Sequence, residues 1–152
     1  MKNHQKTQFT IYGINNTIAI LESQRFTVSK IDIVKNGRAG KDDYLMHLVS
    51  KLTFRPKFYA KPGFFQKYPE GRTQGIAVVI DGRIAKNELP NYSQKETVCL
   101  LALDQIEDPQ NFGQIIRTAE CAGINGIIIP KHHSVPITDT VLQVSQGAFV
   151  NM

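Results

Sequence analysis

The sequence predicts an α/β protein of two units, a small mixed domain followed by a parallel-stranded βαβ one. Three observations lead there. Apolar residues recur at strand period in some segments and at helix period in others along most of the chain. A polar stretch from Gly82 to Thr97 holds Pro90 and no sustained periodicity, which marks a linker. Charge divides at the same place: residues 1–95 hold 16 Lys and Arg against 7 Asp and Glu, whereas residues 96–152 hold 2 against 6. The predicted organisation is a flexible start over 1–8, a first domain over 9–82, a linker over 83–97 and a second domain over 98–152.

The elements follow in order. Phe9-Thr-Ile-Tyr-Gly13 reads as a short entry turn before a helix with Ile14, Ile18, Ala19 and Leu21 near helical spacing, ending around Ser23-Gln24. Val28 to Val34 alternates as a half-buried strand, and Asn36-Gly37-Arg-Ala-Gly40 breaks it. Asp42-Asp43 opens a helix carrying Leu45, Met46, Leu48, Val49 and Leu52. Phe58-Tyr-Ala60 reads as a short strand, and a helical turn around Phe64 and Phe65 follows it. Gln74 to Ile80 is a β-branched strand. In the second unit, Val98-Cys-Leu-Leu-Ala-Leu103 suits a buried parallel strand. A helix from about Phe112 to Ala122 and a strand at Gly126-Ile-Ile-Ile-Pro130 complete a βαβ unit. Pro136 to Val150 reads as helical, with Ile137, Val141, Val144 and Ala148 on one stripe.

Composition excludes several classes. An apolar fraction of 41% with 20% charged residues describes a globular chain, not a disordered one. No apolar run approaches the ~20 residues of a membrane-spanning helix, and no signal-like segment opens the sequence. Cys99 and Cys121 lie in apolar stretches outside any metal-ligand spacing, so two buried thiols and no metal are expected, in the cytoplasm. A net +9 in residues 1–95, against −4 in the remainder, suits either a unit that meets a polyanion or a solubilising lysine-rich surface. The candidate contacts are Lys30, Lys35, Arg38, Lys51, Arg55, Lys57, Lys61, Lys67 and Arg72. Phe54, Phe58, Tyr59, Phe64 and Phe65 interleave with them, either to stack on unpaired bases or, for at least half, to fill the core.

In the second unit the loop Asp104 to Asn111 leaves the carboxyl end of a strand, the edge where ligands gather in open α/β sheets. Asp108 or Asn111 is placed to cap the helix. Arg117 is the only Arg in residues 96–152. On an arbitrary helix it would pair with Glu120 or Asp108; beside a strand-end loop it also suits a phosphate or a developing oxyanion. Gly113, one turn before it, is expected to leave a ligand free to approach.

The string from Leu103 to Gly123, centred on Asp108-Pro-Gln-Asn-Phe-Gly-Gln-Ile-Ile-Arg-Thr-Ala119, resembles the first motif of the SpoU (TrmH-type) RNA 2′-O-ribose methyltransferases of the SPOUT superfamily. The likeness continues through Gly126-Ile-Ile-Ile-Pro-Lys131 and Ser145-Gln-Gly-Ala148. Upstream, Tyr12-Gly13-Ile14 and Gln74-Gly75-Ile76 resemble the family's amino-terminal RNA substrate-binding domain of L30/L7Ae-like fold, with Thr73 where a His is usual. The resemblance implies methyl transfer from S-adenosylmethionine to a ribose 2′-hydroxyl of rRNA or tRNA. It also implies Arg117 as the leading catalytic residue, Asn111 as the second, and a homodimer in complete family members. Arg117 stays protonated, so it suits gripping phosphate or steadying an alkoxide more than acting as a base. The family's later Gly-Ser-Glu-Gly-like and Ser-Leu-Asn-like motifs, which build the cofactor pocket and thread a knot, do not occur. The expectation is therefore the first βαβα portion of a SPOUT domain in a shortened copy, with a non-catalytic RNA-binding module as the alternative.

Overall fold

The computed structural model describes residues 7–68, 71, 73–89 and 97–152. Arg72, one of the predicted RNA contacts, lies outside the described residues, as does part of the predicted linker (90–96). The α/β class holds, and the chain divides into two compact units, one spanning Gln8–Gly82 and the other containing Arg83–Met152.

The first unit runs β1 (Gln8–Tyr12), α1 (Ile14–Ser23), β2 (Thr27–Val34), α2 (Asp43–Ser50), β3 (Lys57–Tyr59), α3 (Lys61–Lys67) and β4 (Ile76–Asp81). The strands order β1-β4-β2-β3, antiparallel except for the parallel β2–β3 pair. Registers Ile11↔Val78 and Ile31↔Val78 put Phe9, Ile11, Ile31, Ile33, Ile76, Val78 and Ile80 on one face by strand alternation. None of the seven is more than 2% exposed. Each such side chain contributes about 1.5–3 kcal/mol on burial, so this face carries the unit. Ile20 of α1 and Leu45 and Val49 of α2 join the core.

The opposite face carries Tyr12, Asp32, Val34 and Ala77, and α3 packs Phe64 and Tyr68 onto it. Pro62 near the start of α3 suits a helix entrance, where its missing N–H costs nothing. Asp42 caps α2 by accepting from Leu45 N at 2.9 Å, so the helix starts where the acidic pair predicted it. The helix covers fewer positions than the periodicity implied. It ends at Ser50, and Met46 and Leu48 are only half-buried.

The second unit holds β5 (Leu100–Ala102), α4 (Pro109–Cys121), β6 (Gly126–Ile128) and α5 (Asp139–Val144), then a 3-10 turn at Ala148–Asn151. Strands β5 and β6 are parallel, as a βαβ unit requires. The expected buried strand at 98–103 is shorter and wetter than predicted. Leu100 and Leu101 are half-buried and Ala102 is exposed, because β5 has one strand neighbour among the described residues. The same openness corrects the expectation for the thiols: Cys99, ahead of β5, and Cys121, closing α4, are both exposed.

Helix α4 begins three residues earlier than predicted. Asp108 Oδ1 accepts from Asn111 N at 2.6 Å, which assigns the cap to Asp108 and frees the Asn111 side chain from that role. Pro109 then sits at the first helical position. The predicted continuous helix over 136–150 is broken. Gly147, at φ 94°, turns the chain after α5, and Leu142 and Phe149 join Val141 and Ala148 in the buried set while Val144 is half-buried.

Candidate functional site

Arg117 lies on α4, exposed, one turn beyond the buried Gly113. Both partners that would make it an ordinary surface cation are engaged elsewhere. Asp108 holds the helix cap, and Glu120 Oε1 accepts from Asn151 Nδ2 at 2.8 Å. Among the described residues no hydrogen bond or ion pair occupies the Arg117 guanidinium. Asn111 is exposed in the first turn of the same helix. Six residues of helix separate the two by ~9 Å along the axis and by ~120° around it, so Gln114 lies between them.

Gly113 corrects an expectation. Its open flank does not face a ligand; it faces α5. A Cβ there would stand 2.6 Å from Val144 Cβ and 2.8 Å from the Val141 carbonyl oxygen. Glycine at this position allows α4 and α5 to touch backbone to side chain, and Phe112, Ile116, Ala119, Val141 and Leu142 close the seam around it. Helix α4 is thereby fixed with Arg117 on its outer side. At the carboxyl ends of the strands, Val135 N donates to Ile106 O at 2.7 Å, tying the two loops together.

The first unit brings its two short motif segments into one junction. Gln74 and Gly75 take left-handed backbone, at φ 52° and 77°, in the turn before β4. That turn aims the Gln74 side chain at α1, where Oε1 accepts from Ile14 N at 2.7 Å. Gly13, which precedes the helix, offers no side-chain cap, so Gln74 caps it from 60 positions away. Thr73 is 2% exposed and its hydroxyl accepts from Gly75 N at 3.4 Å, a structural role within this turn.

The predicted basic contacts are spread over the unit. Lys35 follows β2, Arg38 opens the short 3-10 turn at Ala39–Lys41, Lys51 closes α2, Arg55 precedes β3 and Lys61 begins α3; all five are exposed. Two other lysines, Lys30 and Lys67, approach one carboxylate. Asp32 Oδ2 accepts from Lys67 Nζ at 2.8 Å, Tyr68 Oη at 2.7 Å and lies 3.1 Å from Lys30 Nζ. Lys57 is the register partner of Asp32 across the β2–β3 pair, and its Nζ stands 5.0 Å from the Tyr59 ring centre. Burial pushes the Asp32 carboxyl up, but the hydrogen bonds from Lys67, Tyr68 and Lys30 together outweigh it and hold the group below the usual range. The Asp32 bond in turn strengthens the charge on Lys67, while burial and then Asp32 push the Tyr68 phenol up to about 12.

Asp32 is a residue that reading the sequence missed. Its signal was a carboxylate amid the buried apolar residues of β2, where an isolated charge is costly. Of the aromatic candidates, Phe64 is fully buried, Phe54, Tyr59 and Phe65 are half-buried, and Phe58 is 48% exposed. Among the described residues no group of three His, Cys, Asp or Glu is placed to hold a metal, and no helix is long and apolar enough to cross a membrane.

Known proteins resemble the chain across most of its length. Residues 98–152 match the model of the SpoU rRNA Methylase family. An uncharacterized tRNA/rRNA methyltransferase of Mycoplasma pneumoniae is 30% identical over 151 residues, covering 97% of this chain and 60% of that protein. A 23S rRNA (guanosine-2′-O-)-methyltransferase, RlmB, of Vibrio parahaemolyticus is 33% identical over 144 residues, 91% of this chain and 57% of its own length. The chain thus spans less than two thirds of these curated relatives. Among solved structures, the AdoMet-bound rRNA methyltransferase from Sinorhizobium meliloti superposes with TM-score 0.72 at 18% identity, covering 96% of this chain and 52% of that one. The SpoU methyltransferase AviRb from Streptomyces viridochromogenes, solved with AdoMet, gives 0.71 at 17%, covering 96% and 54%. The fold is shared with those enzymes, and residues 98–152 carry the similarity to the SpoU rRNA Methylase family.

Proposed function

We propose that this chain serves an S-adenosylmethionine-dependent RNA methyltransferase acting on a ribose 2′-hydroxyl of rRNA or tRNA. The observation that carries the reading is Arg117, exposed on α4 of the SpoU-matched segment with no partner among the described residues. A ribose hydroxyl is a poor nucleophile, and a fixed guanidinium steadies negative charge as it develops there. Asn111 would orient the ribose through its amide. The RlmB relatives, named as guanosine-2′-O-methyltransferases, favour the ribose hydroxyl as acceptor and rRNA as the RNA.

S-adenosylmethionine supplies the methyl group in this chemistry. The described residues of 98–152 do not by themselves fit it. At the strand ends the loops bond to one another through Val135 N and Ile106 O, and Ser134 Oγ donates to Pro130 O at 2.6 Å, so these loop groups are engaged within the protein. The roles assigned here are therefore confined to orienting the RNA and steadying charge on its ribose hydroxyl.

Incubating the chain with methyl-labelled S-adenosylmethionine and rRNA or tRNA tests the reading, with Arg117→Ala beside it. Transfer that falls about 10²–10³-fold in the variant supports Arg117 as the charge-stabilising group. Transfer indifferent to Arg117 removes that role. No transfer, together with no heat of cofactor binding, overturns catalysis by this chain and leaves the second reading, a non-catalytic RNA-binding module. That reading draws on the +9 charge of residues 1–95. It requires RNA affinity that weakens with salt.

A further inference from the structure

The buried carboxylate of Asp32 has no assigned use, and the two ammonium groups it holds point to one. From the geometry we infer that Asp32 is a positioning residue that holds Lys30 and Lys67 together as a two-lysine clamp for one phosphodiester group of RNA. The inference rests on the reading that the basic first unit binds RNA, and it locates a contact within that unit.

Like charges repel, so two lysines with free side chains would hold their ammonium groups apart. Here both approach the same atom, Asp32 Oδ2, at 2.8 Å and 3.1 Å, so their nitrogens are separated by no more than the sum of those distances. A phosphodiester spans such a gap with its two anionic oxygens. The carboxylate itself is withdrawn, with a side-chain exposure of 0%, while the two lysines keep 41% and 40%. The arrangement presents positive charge outward and keeps its counter-charge inside, where it cannot repel an incoming anion at contact distance. Three features restrict its motion. Tyr68 Oη donates to the same oxygen, Lys67 Nζ also reaches Tyr59 Oη at 3.4 Å, and Lys67 lies 5.5 Å and 5.1 Å from the Tyr59 and Tyr68 ring centres. Asp32 Oδ1 is buried with no partner among the described residues, so all three donors converge on one oxygen instead of dividing between two. Lys57, across the strand pair, extends the cationic surface on the same face. A lysine pre-ordered in this way loses little side-chain freedom on meeting its phosphate.

A simple ion pair predicts the opposite response to mutation. Asp32→Asn removes a negative charge, so general electrostatics calls for tighter RNA binding. The clamp calls for weaker binding. Fluorescence anisotropy of the full chain with a short labelled single-stranded RNA should show about a fourfold loss at ~0.15 M salt, and a salt slope lower by ~0.7, which is the signature of one lost phosphate contact. Tighter binding by Asp32→Asn overturns the inference. Should that variant fail to fold, side-chain ¹⁵N NMR of the wild-type lysines replaces it. RNA is then expected to shift the Lys30 and Lys67 ammonium signals. RNA that binds while moving only other lysines removes the clamp and leaves the RNA reading standing, whereas RNA that does not bind removes both.

Discussion

The two units bury apolar surface in different places. In the first, the sheet is the core: Ile31, Ile33, Ile76, Val78 and Ile80 on its two central strands are sealed, with helices laid on them. In the second, the helices are the core: Phe112, Ile116, Val141, Leu142 and Phe149 close on each other, while Leu100, Leu101 and Ile127 of the two-stranded sheet are half-buried and Ile128 is 40% exposed. A strand sequence does not by itself bury a strand. Burial follows from how many neighbours and layers the sheet acquires.

Truncating a sheet residue in each unit should separate them most. Ile31→Ala is expected to cost about 2–5 kcal/mol, and Leu101→Ala, starting half-buried, about 1 kcal/mol, measured by denaturant unfolding. Equal losses would erase the contrast. The next largest effect belongs to the helix seam. On propensity alone Gly113→Ala should stabilise α4 by up to about 1 kcal/mol. Against Val144 and the Val141 carbonyl it should instead destabilise by about 1–3 kcal/mol, and a raised melting temperature would show that α5 yields freely. The smallest effect is in pH. Asp32 is the one buried carboxylate among the described residues, and its pKa is depressed. Its stabilisation is complete above the ordinary value of 3.8 and is lost as pH falls through the lower folded value. Acid titration followed by hydrogen exchange should therefore weaken β2 and β4 amides by more in wild type than in Asp32→Asn.

Much of this was legible in the sequence because it is local. The strand at 28–34, the acidic start of α2 at Asp42 and the parallel pair flanking α4 all follow from period and capping chemistry over a few residues. What was not legible depends on partners distant in the chain. The burial of Asp32 needs Lys67 and Tyr68, 35 and 36 positions later. The purpose of Gly113 needs Val144, and the exposure of Cys99 and Cys121 depends on what covers a two-stranded sheet. The candidate site divides the same way. Arg117 stood out as the single Arg of its half, whereas the occupation of Asp108 and Glu120, which leaves it free, emerged only in three dimensions.

The pairing of β1 with β4 has a consequence for how the first unit can be handled. Gln8 and Asp81 are register partners, and Gln8 Nε2 donates to Asp81 Oδ1 at 2.8 Å, so this unit starts and finishes at one spot. A short linker would join those ends without disturbing a strand, and new termini could open in the exposed turn at Lys35 and Asn36. Built as a circular permutant, the unit should keep its sheet order and its Gln74–Ile14 junction. It would then be a portable module whose place in a longer polypeptide is set by a single point of attachment.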